Sequence, residues 1–255
     1  MTLSEHGTRD ICISVVSHRH GEELFRLAQK LESLCATSVG QIILTLNVPE
    51  PDLFAKINSR QWSFEVIVVQ NDEPKGFGAN HNAAFEFASR KYFCVLNPDI
   101  DLSTDPFPDL INKCQDPLAG CVFPRQLGTD GKIQDYARQL PSPGALLSRY
   151  LGVRAGATEC EHPVWVNGAF MLYPARVFKL LGGFDQRYFM YCEDVDICLR
   201  LQLAGFKLSQ STATVVHAAQ RNTRANLRHL VWHVTSLVRL WSSPAYKKFY
   251  LRQSV

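Results

Sequence analysis

The chain has 255 residues, which suits one large domain or one domain with a C-terminal extension. Apolar residues make up 46% of the sequence, so a sizeable core is available and the composition argues against disorder. The net charge of +3 is too small by itself to indicate a nucleic-acid-binding protein. The eight cysteines form neither a C-x-x-C pair nor a zinc-like Cys/His spacing, which predicts reduced thiols in a cytosolic protein.

The sequence shows no sign of a signal peptide or a membrane-spanning helix. Residues 1–10 are polar, and no window approaches the roughly 20 apolar residues that a membrane helix needs. A cytoplasmic protein is therefore predicted, attached at most to a membrane surface. No acidic residue follows Asp196, and this basic segment attracts anionic surfaces or phosphates. Its basic residues are Arg200, Lys207, Arg221, Arg224, Arg228, Arg239, Lys247, Lys248 and Arg252.

Apolar runs and helical spacings alternate along the first hundred residues. The predicted strands are Ile11–Ser17, Gln41–Leu46, Phe64–Gln70 and Tyr92–Leu96; the predicted helices are Glu22–Cys35 and Gly78–Arg90, with a loop or helix over Pro49–Asn58. This alternation predicts an α/β fold with a mostly parallel, Rossmann-like sheet and helices on both faces. Such a sheet binds ligands at the carboxyl ends of its strands.

The pattern weakens between Asp99 and Val164, where prolines interrupt the chain repeatedly. It returns further on. The elements predicted there are an ordered run over Trp165–Tyr173, helices over Ala175–Leu181 and Glu193–Ala204, a strand over Thr212–Val216, and a helix over Asn226–Trp241 with one apolar stripe.

The segment over residues 182–200 is the most informative part of the chain. It opens with Gly-Gly-Phe-Asp, continues with the aromatic cluster of residues 188–191, and then places Glu193, Asp194 and Asp196 at the start of a helix. Acids in a first helical turn are commonly partners of the helix dipole. Acids directly behind apolar surface are costly, however, unless a metal, a partner or a substrate uses them.

Polar residues also follow several predicted strands. Gly76 and Gly78 follow the third strand, where they form a tight turn or let the backbone approach a ligand at a helix N-terminus. A third glycine at the dinucleotide-binding spacing is missing. Asp99 follows the fourth strand in an Asn-Pro-Asp turn, and its carboxylate can coordinate a divalent ion. His217 ends the late strand as a capping or core residue, or as a metal ligand.

Taken in chain order, these four segments resemble the motifs of inverting family 2 glycosyltransferases with the GT-A fold. The family pattern reads Asn-x-Gly-Phe-Gly-x-x-x-Asn, then Asn-Pro-Asp in place of Asp-x-Asp, then Gly-Gly-Phe-Asp with Glu-Asp-x-Asp behind it, and a late His. The resemblance covers Ile11 to about His217, and it is closest to bacterial rhamnosyltransferases of O-antigen or cell-wall polysaccharide assembly.

The resemblance implies a role for individual residues. Asp194 would be the general base, Glu193 would position the acceptor or the helix, and Asp196 would pair with Arg200. The residues implied to bind the nucleotide sugar are Asp72, Gly76, Gly78, Asn82, Asn97 and Arg221; those implied to line the sugar and acceptor pocket are Trp165, Gly168, Asp185 and Tyr191. Asp99 and His217 would hold Mn²⁺ or Mg²⁺, with Asp101 as a further candidate.

The implied activity is metal-dependent transfer of a sugar, with rhamnose from dTDP-rhamnose as the best match, to a glycan or polyprenyl-diphosphate-linked acceptor. Residues 1–220 would form the GT-A domain, with a nucleotide-sugar half of about 11–101 and an acceptor half of about 160–217. Residues 221–255 would form a basic amphipathic helical extension. That extension either packs on the catalytic domain or holds the enzyme at the inner face of the membrane.

Two other functions stay open on sequence alone. A sugar-nucleotide pyrophosphorylase shares the sheet architecture, but residues 16–21 are a poor version of its Gly-rich loop. A noncatalytic assembly protein built on a transferase fold is the second alternative.

Overall fold

We describe residues 9–140, 160, 162–218 and 227–253 of a computed structural model of the chain. The strands are β1 Ile11–Ser17, β2 Val39–Leu46, β3 Glu65–Gln70, β4 Tyr92–Leu96, β5 Ile100–Asp101, β6 Ala119–Leu127, β7 Ala137–Arg138, β8 Trp165–Val166, β9 Phe170–Pro174 and β10 Lys207–His217. The helices are α1 Glu22–Cys35, α2 Pro51–Asn58, α3 Phe77–Phe85, α4 Phe107–Lys113, α5 Ala175–Leu180, α6 Glu193–Leu203, α7 Leu227–Ser242 and α8 Pro244–Gln253.

One large sheet organises the molecule, with the strand order β3-β2-β1-β4-β9-β6-β10-β5. The first four of these strands are parallel, as the alternating pattern predicts, whereas β9 runs antiparallel to both β4 and β6. Because β9 runs the opposite way, its beginning lies beside the carboxyl end of β4. Strands β7 and β8 form a separate antiparallel pair.

Helices cover both faces of the sheet, and each face has its own apolar core. On β1, Ile11 and Ile13 belong to the core that α1, α2 and α4 cover, whereas Cys12 belongs to the core under α3, α5 and α6. This alternation follows from the two-residue period of a strand. The prediction of an α/β sheet with helices on both faces is confirmed.

Several predicted boundaries change for local physical reasons. Helix α3 ends at Phe85, five residues before the predicted Arg90, and the single run predicted over Trp165–Tyr173 is two strands. Strand β6 was not predicted because it contains Pro124, which cannot donate a ladder hydrogen bond. Its neighbour β10 accommodates the proline with a register shift between Gln210 and Thr214.

The C-terminal helices pack on the second core. Leu237 and Leu240 of α7 and Phe249 of α8 are buried there, whereas other apolar residues of α7 face outward. The predicted division at residues 220 and 221 lies outside the described residues. Among the helices that the described ranges contain, none combines the length and the apolarity that a bilayer crossing needs.

Phe178 joins α5 to the second core, and we expect Phe178→Ala to lower the free energy of unfolding by about 3–5 kcal/mol. Its ring is 1% exposed and lies within 6 Å of several other aromatic rings, those of Phe85, Phe93, Tyr173 and Phe184. Urea unfolding measures the change. The control is Phe87→Ala, because Phe87 is 50% exposed and should cost no more than about 0.5 kcal/mol. Equal losses in both variants would contradict this description of the core.

Candidate functional site

The carboxyl ends of β4 and β10 bring Asp99 and His217 together. Strand β5 follows Asp99 and pairs with β10, so that Ile100 lies opposite His217. The backbone N–H of Ala218 donates to the carbonyl of Asp99 at 3.0 Å. The side chains then approach each other, with Nε2 of His217 lying 3.4 Å from Oδ1 of Asp99.

This pair has the chemistry of a divalent metal site. Both side chains are mostly buried, and Oδ1 of Asp99 and Nδ1 of His217 have no hydrogen-bond partner within the described residues. Burial alone would raise the pKa of Asp99, but the neighbouring imidazole of His217, a backbone N–H and the charge of His20 together hold that pKa below its usual value. An unpartnered carboxylate oxygen beside an imidazole fits Mn²⁺ or Mg²⁺. Where the structure is described, no third His, Cys, Asp or Glu joins them, so other ligands would come from phosphate and water.

Asp101 does not join this pair. Its side chain is 60% exposed and forms an ion pair with Lys30. Ile100 separates it from Asp99, and its carboxylate also accepts a hydrogen bond from the N–H of Leu102 at 3.1 Å. These contacts favour Asp99 over Asp101 as the metal ligand, and the choice between them stays a prediction.

Glu193 and Asp194 begin α6 and are held differently. Oδ1 of Asp194 accepts from the N–H of Val195 at 2.8 Å, and Oδ2 accepts from the N–H of Gly168 at 3.3 Å. Burial raises the pKa of Asp194 to about 6, although these N–H groups and Arg138 lower it in part. Burial, followed by the charge of Asp194, raises the pKa of Glu193 well above its usual value. Glu193 is thus a buried acid, whereas Asp194 is half-buried and able to ionise near neutral pH.

The backbone in front of this acid pair is strained. Tyr191 has φ 72° and Cys192 has φ 67°, so two consecutive residues with side chains adopt the left-handed region. Each such residue costs on the order of 1–3 kcal/mol and persists only when its surroundings hold it. Backbone strain of this kind clusters at functional sites. No pattern in the sequence predicted the left-handed conformation of Tyr191 and Cys192.

A series of backbone hydrogen bonds connects the acid pair, Glu193 and Asp194, to the segment that contains Asp99. Gly168, which donates to Asp194, precedes Ala169 at the beginning of β9. The carbonyl of Ala169 accepts from the N–H of Asn97 at 2.9 Å, and Asn97 lies two residues before Asp99. The antiparallel insertion of β9 between β4 and β6 therefore brings the acid pair, Glu193 and Asp194, to the same end of the sheet as Asp99 and His217.

The loop after β3 contacts protein at both of its predicted glycines. A Cβ on Gly76 would lie 2.6 Å from the carbonyl oxygen of Phe189, and one on Gly78 would lie 2.5 Å from Cβ of Phe184. The close approach predicted toward a ligand is thus made to the segment over residues 184–189. Asp72 is exposed beyond the strand end, and its nucleotide contact stays a prediction, as does that of Asn97.

The side chain of Asn82 contacts the backbone of Phe184. Its Nδ2 donates to the carbonyl of Phe184 at 2.8 Å, and its Oδ1 accepts from the N–H of Phe184 at 2.8 Å. With both ends of the amide bonded to the backbone, Asn82 fastens α3 to the segment before α6. Its implied contact with the donor stays a prediction, and these two hydrogen bonds leave its amide engaged by the protein. Arg221, the remaining predicted nucleotide contact, lies outside the described residues.

Three of the four predicted pocket residues are engaged by the protein. Trp165 is 8% exposed and its indole N–H donates to the carbonyl of Gln139, so its ring is packed within the protein. Both carboxylate oxygens of Asp185 bond to the guanidinium of Arg187. Tyr191 bonds to His229 of α7.

Gly168 remains beside Asp194, and a Cβ there would lie 2.9 Å from the ring of Phe77. The predicted pair of Asp196 and Arg200 is confirmed at 2.7 Å.

Two further groups escaped the sequence patterns. Asn71 donates to both Asn47 and Asn80, at 2.9 and 2.7 Å, and this buried network holds the loop around Lys75. The positions of Asn47 and Asn71 directly after strands were the available signal. Arg138 stands over the ring of Trp165 and lowers the pKa of Asp194, but it follows no motif.

The sequence matches of this chain agree with that geometry. Residues 26–182, more than half of the chain, match the family described as Glycosyl transferase family 2. The chain belongs to glycosyltransferase family 2. This family 2 glycosyltransferase is 29% identical to rhamnosyltransferase WbbL of Escherichia coli (strain K12), over 90% of its own length and 91% of that enzyme's. It is also 33% identical to an N-acetylglucosaminyl-diphospho-decaprenol L-rhamnosyltransferase of Mycobacterium tuberculosis, over 54% of its length and about half, 51%, of that enzyme's.

Solved structures share the GT-A fold of this glycosyltransferase. GalNAc-T7 with UDP, GalNAc and Mn²⁺ superposes with a TM-score of 0.65 at 18% identity, over 83% of this chain and 44% of that one. The mannosyltransferase PcManGT from Pyrobaculum calidifontis, in complex with GDP-Man and Mn²⁺, gives 0.64 at 14% identity, over 94% and 67%. The prediction of a GT-A glycosyltransferase is confirmed.

The raised pKa of Asp194 predicts the pH dependence of transfer. A carboxylate accepts a proton only when it is ionised, and this one is protonated below about pH 6. We expect kcat/KM to be level above that pH and to fall about tenfold per unit below it. Asp194→Asn should lower kcat by roughly 10²–10⁴ and remove this acid limb. A wild-type profile that stays level down to pH 5 would contradict the assignment of Asp194 as the base.

Proposed function

We propose that this glycosyltransferase moves rhamnose from a nucleoside-diphosphate donor, dTDP-rhamnose being the first to test, to a polyprenyl-diphosphate-linked glycan, with inversion. The observation that carries the proposal is the half-buried, ionisable Asp194 at the same end of the sheet as the pair of Asp99 and His217. Two relatives support the sugar, since both are named as rhamnosyltransferases. The mycobacterial name also describes a diphospho-decaprenol acceptor.

The residues of the chain divide the work of a single displacement. Asp194 accepts the proton of the acceptor hydroxyl as that oxygen attacks the anomeric carbon and the nucleoside diphosphate departs. The N–H groups of Gly168 and Val195 donate to its carboxylate and fix the orientation of that group before the acceptor binds. Glu193 has a raised pKa and stays in place as a buried acid behind the base.

Asp99 and His217 would hold the divalent cation, and the cation would supply positive charge to the diphosphate as its negative charge develops. Mn²⁺ is the first choice because two structural relatives, GalNAc-T7 and PcManGT, were solved with it bound. The unpartnered Oδ1 of Asp99 is the atom that makes this assignment chemically reasonable.

A transfer assay with and without metal tests the proposed function. Purified protein, a polyprenyl-diphosphate acceptor and dTDP-rhamnose should give glycosylated acceptor and dTDP with Mn²⁺, and none in excess chelator. Asp99→Ala and His217→Ala should weaken Mn²⁺-dependent dTDP binding by at least about tenfold, since even groups that only orient a ligand contribute that much. The matched control is Asp101→Ala, which should bind normally. Full transfer in chelator would overturn the metal assignment.

The same assay separates the two alternative functions. A pyrophosphorylase would release dTTP when pyrophosphate replaces the acceptor, whereas a glycosyltransferase would not. A noncatalytic protein would bind the donor without consuming it.

We also infer that residues 221–255 form an extension that holds the enzyme at the inner face of the cytoplasmic membrane. Helix α7 turns an apolar stripe outward, consisting of Leu230, Val231, Val234 and Val238, each 39–61% exposed. Lys247, Lys248 and Arg252 are exposed on α8, and no acid follows Asp196. An exposed apolar stripe beside unopposed positive charge fits a bilayer that contains anionic lipid, and such a surface is where a polyprenyl-linked acceptor resides.

Vesicle flotation tests this extension. Wild-type protein should float with vesicles containing phosphatidylglycerol at low salt, and changing Lys247, Lys248 and Arg252 to Gln should reduce the floating fraction. Each basic residue near such a surface contributes about 1 kcal/mol, and salt screens the attraction. The matched control changes Lys113, Lys132 and Lys179 to Gln, because these exposed residues carry the same charge on other elements. Equal loss in both triple variants would show that only net charge matters and would contradict a specific surface.

A further inference from the structure

Helix α7 contacts nearly every residue of the segment that leads into the acid pair, residues 187–191, which we call the lead-in segment. Arg239 donates to the carbonyl of Arg187 and stands over the ring of Tyr188. The contacts further along are the ring of Trp232 against Phe189, with centroids 4.8 Å apart, and Oγ of Ser236 donating to the carbonyl of Met190 at 2.9 Å.

Tyr191, the last residue of the lead-in segment, meets two histidines one helical turn apart on α7. A hydrogen bond of 2.9 Å joins its hydroxyl to Nδ1 of His229. The ring of His233 lies 5.1 Å from its ring in an edge-to-face arrangement. Tyr191 is thus fixed by a polar contact at its tip and by an aromatic contact at its ring.

These contacts fall where the backbone needs support. Tyr191 and Cys192 hold left-handed φ values of 72° and 67°, which residues with side chains adopt only when neighbours enforce them. Glu193 and Asp194 follow immediately and begin α6. If Tyr191 relaxed to an ordinary φ, the first turn of α6 would rotate and the carboxylate of Asp194 would leave the N–H of Gly168.

We propose that His229 is a positioning residue for catalysis, and that it acts through Tyr191 to hold the strained turn that aims Asp194. Helix α7 therefore belongs to the catalytic machinery as well as to the outer surface. The inference rests on the proposed function in one respect, that Asp194 is the base. The same helix presents its apolar stripe outward and its histidines, Trp232, Ser236 and Arg239 to the lead-in segment, so the two functions use different faces.

The variants are chosen to remove one bond and keep the volume. Tyr191→Phe and His229→Leu each remove the hydrogen bond, and His229→Asn keeps a polar atom near Nδ1. We expect kcat to fall between about tenfold and 10²-fold in the first two, because a displacement of about 1 Å has that effect. The KM for the donor and Mn²⁺-dependent dTDP binding should stay within about twofold. The control is His162→Leu, at an exposed histidine outside α7.

Two comparisons separate positioning from simple stability. His229→Asn should recover most of the lost kcat, and Tyr191→Phe combined with His229→Leu should be no worse than the poorer single variant, because both remove the same bond. A loss that appears only as a lower Tm, with kcat per folded enzyme unchanged, would overturn the proposal. So would a loss that lies wholly in the donor KM.

Hydrogen exchange provides a readout that does not need activity. Amides of residues 188–195 should exchange roughly fivefold faster in Tyr191→Phe and in His229→Leu than in wild type or His162→Leu. Unchanged exchange would overturn the positioning proposal. If the wild type transfers no sugar while exchange rises as expected, the proposed function fails and the structural coupling of α7 to the acid pair stands.

Discussion

Two adjacent carboxyl groups, those of Glu193 and Asp194, lie in low-dielectric surroundings at the first turn of α6. Removing an acid from water raises its pKa and favours its neutral form, and the charge of Asp194 raises the pKa of Glu193 further. The pair is tolerated because backbone N–H groups solvate Asp194 and because Glu193 can remain protonated. The neighbouring structure, including Gly168 before β9 and the inner face of α7, keeps Asp194 oriented and able to ionise.

The course of β9 explains how so few contacts bring distant residues together. A strictly parallel sheet would have carried the chain away from the carboxyl end of β4 after Phe170. An antiparallel β9 instead begins at that end, so Asn97 and Ala169, which are distant in sequence, are joined by a hydrogen bond. Strand β10 then arrives from the other side with His217 at its last position. The site is a property of strand order and not of any one segment.

Sequence patterns were sufficient where structure is local. The ranges Ile11–Ser17, Glu22–Cys35 and Tyr92–Leu96 agree with the structure to the residue. A buried strand is visible in sequence as a short apolar run, and an amphipathic helix as apolar residues at helical spacing. The motifs around Asp99, Asp194 and His217 were found for a related reason, since each occupies the boundary of a regular element.

What the patterns could not supply is long-range. The side chain of Asn82 is spent on the backbone of Phe184, 102 residues further along, and no spacing rule distinguishes that contact from a contact with a nucleotide. The ring of Trp165 is covered by Arg138 from a stretch where prolines had removed every periodic signal. The left-handed turn at Tyr191 is enforced by α7, which carries no motif.

The close contact of Gly76 with Phe189 matters to anyone who wishes to redesign this enzyme for another donor. The N–H of Phe77 donates to the carbonyl of Phe189, and Gly76 lies directly against the same residue with no room for a side chain. The loop after β3 and the segment over residues 184–189 are therefore one packed unit contributed by two parts of the chain. Grafting the loop from a relative would import half of a matched pair, so a successful exchange has to carry residues 71–78 and 184–189 together.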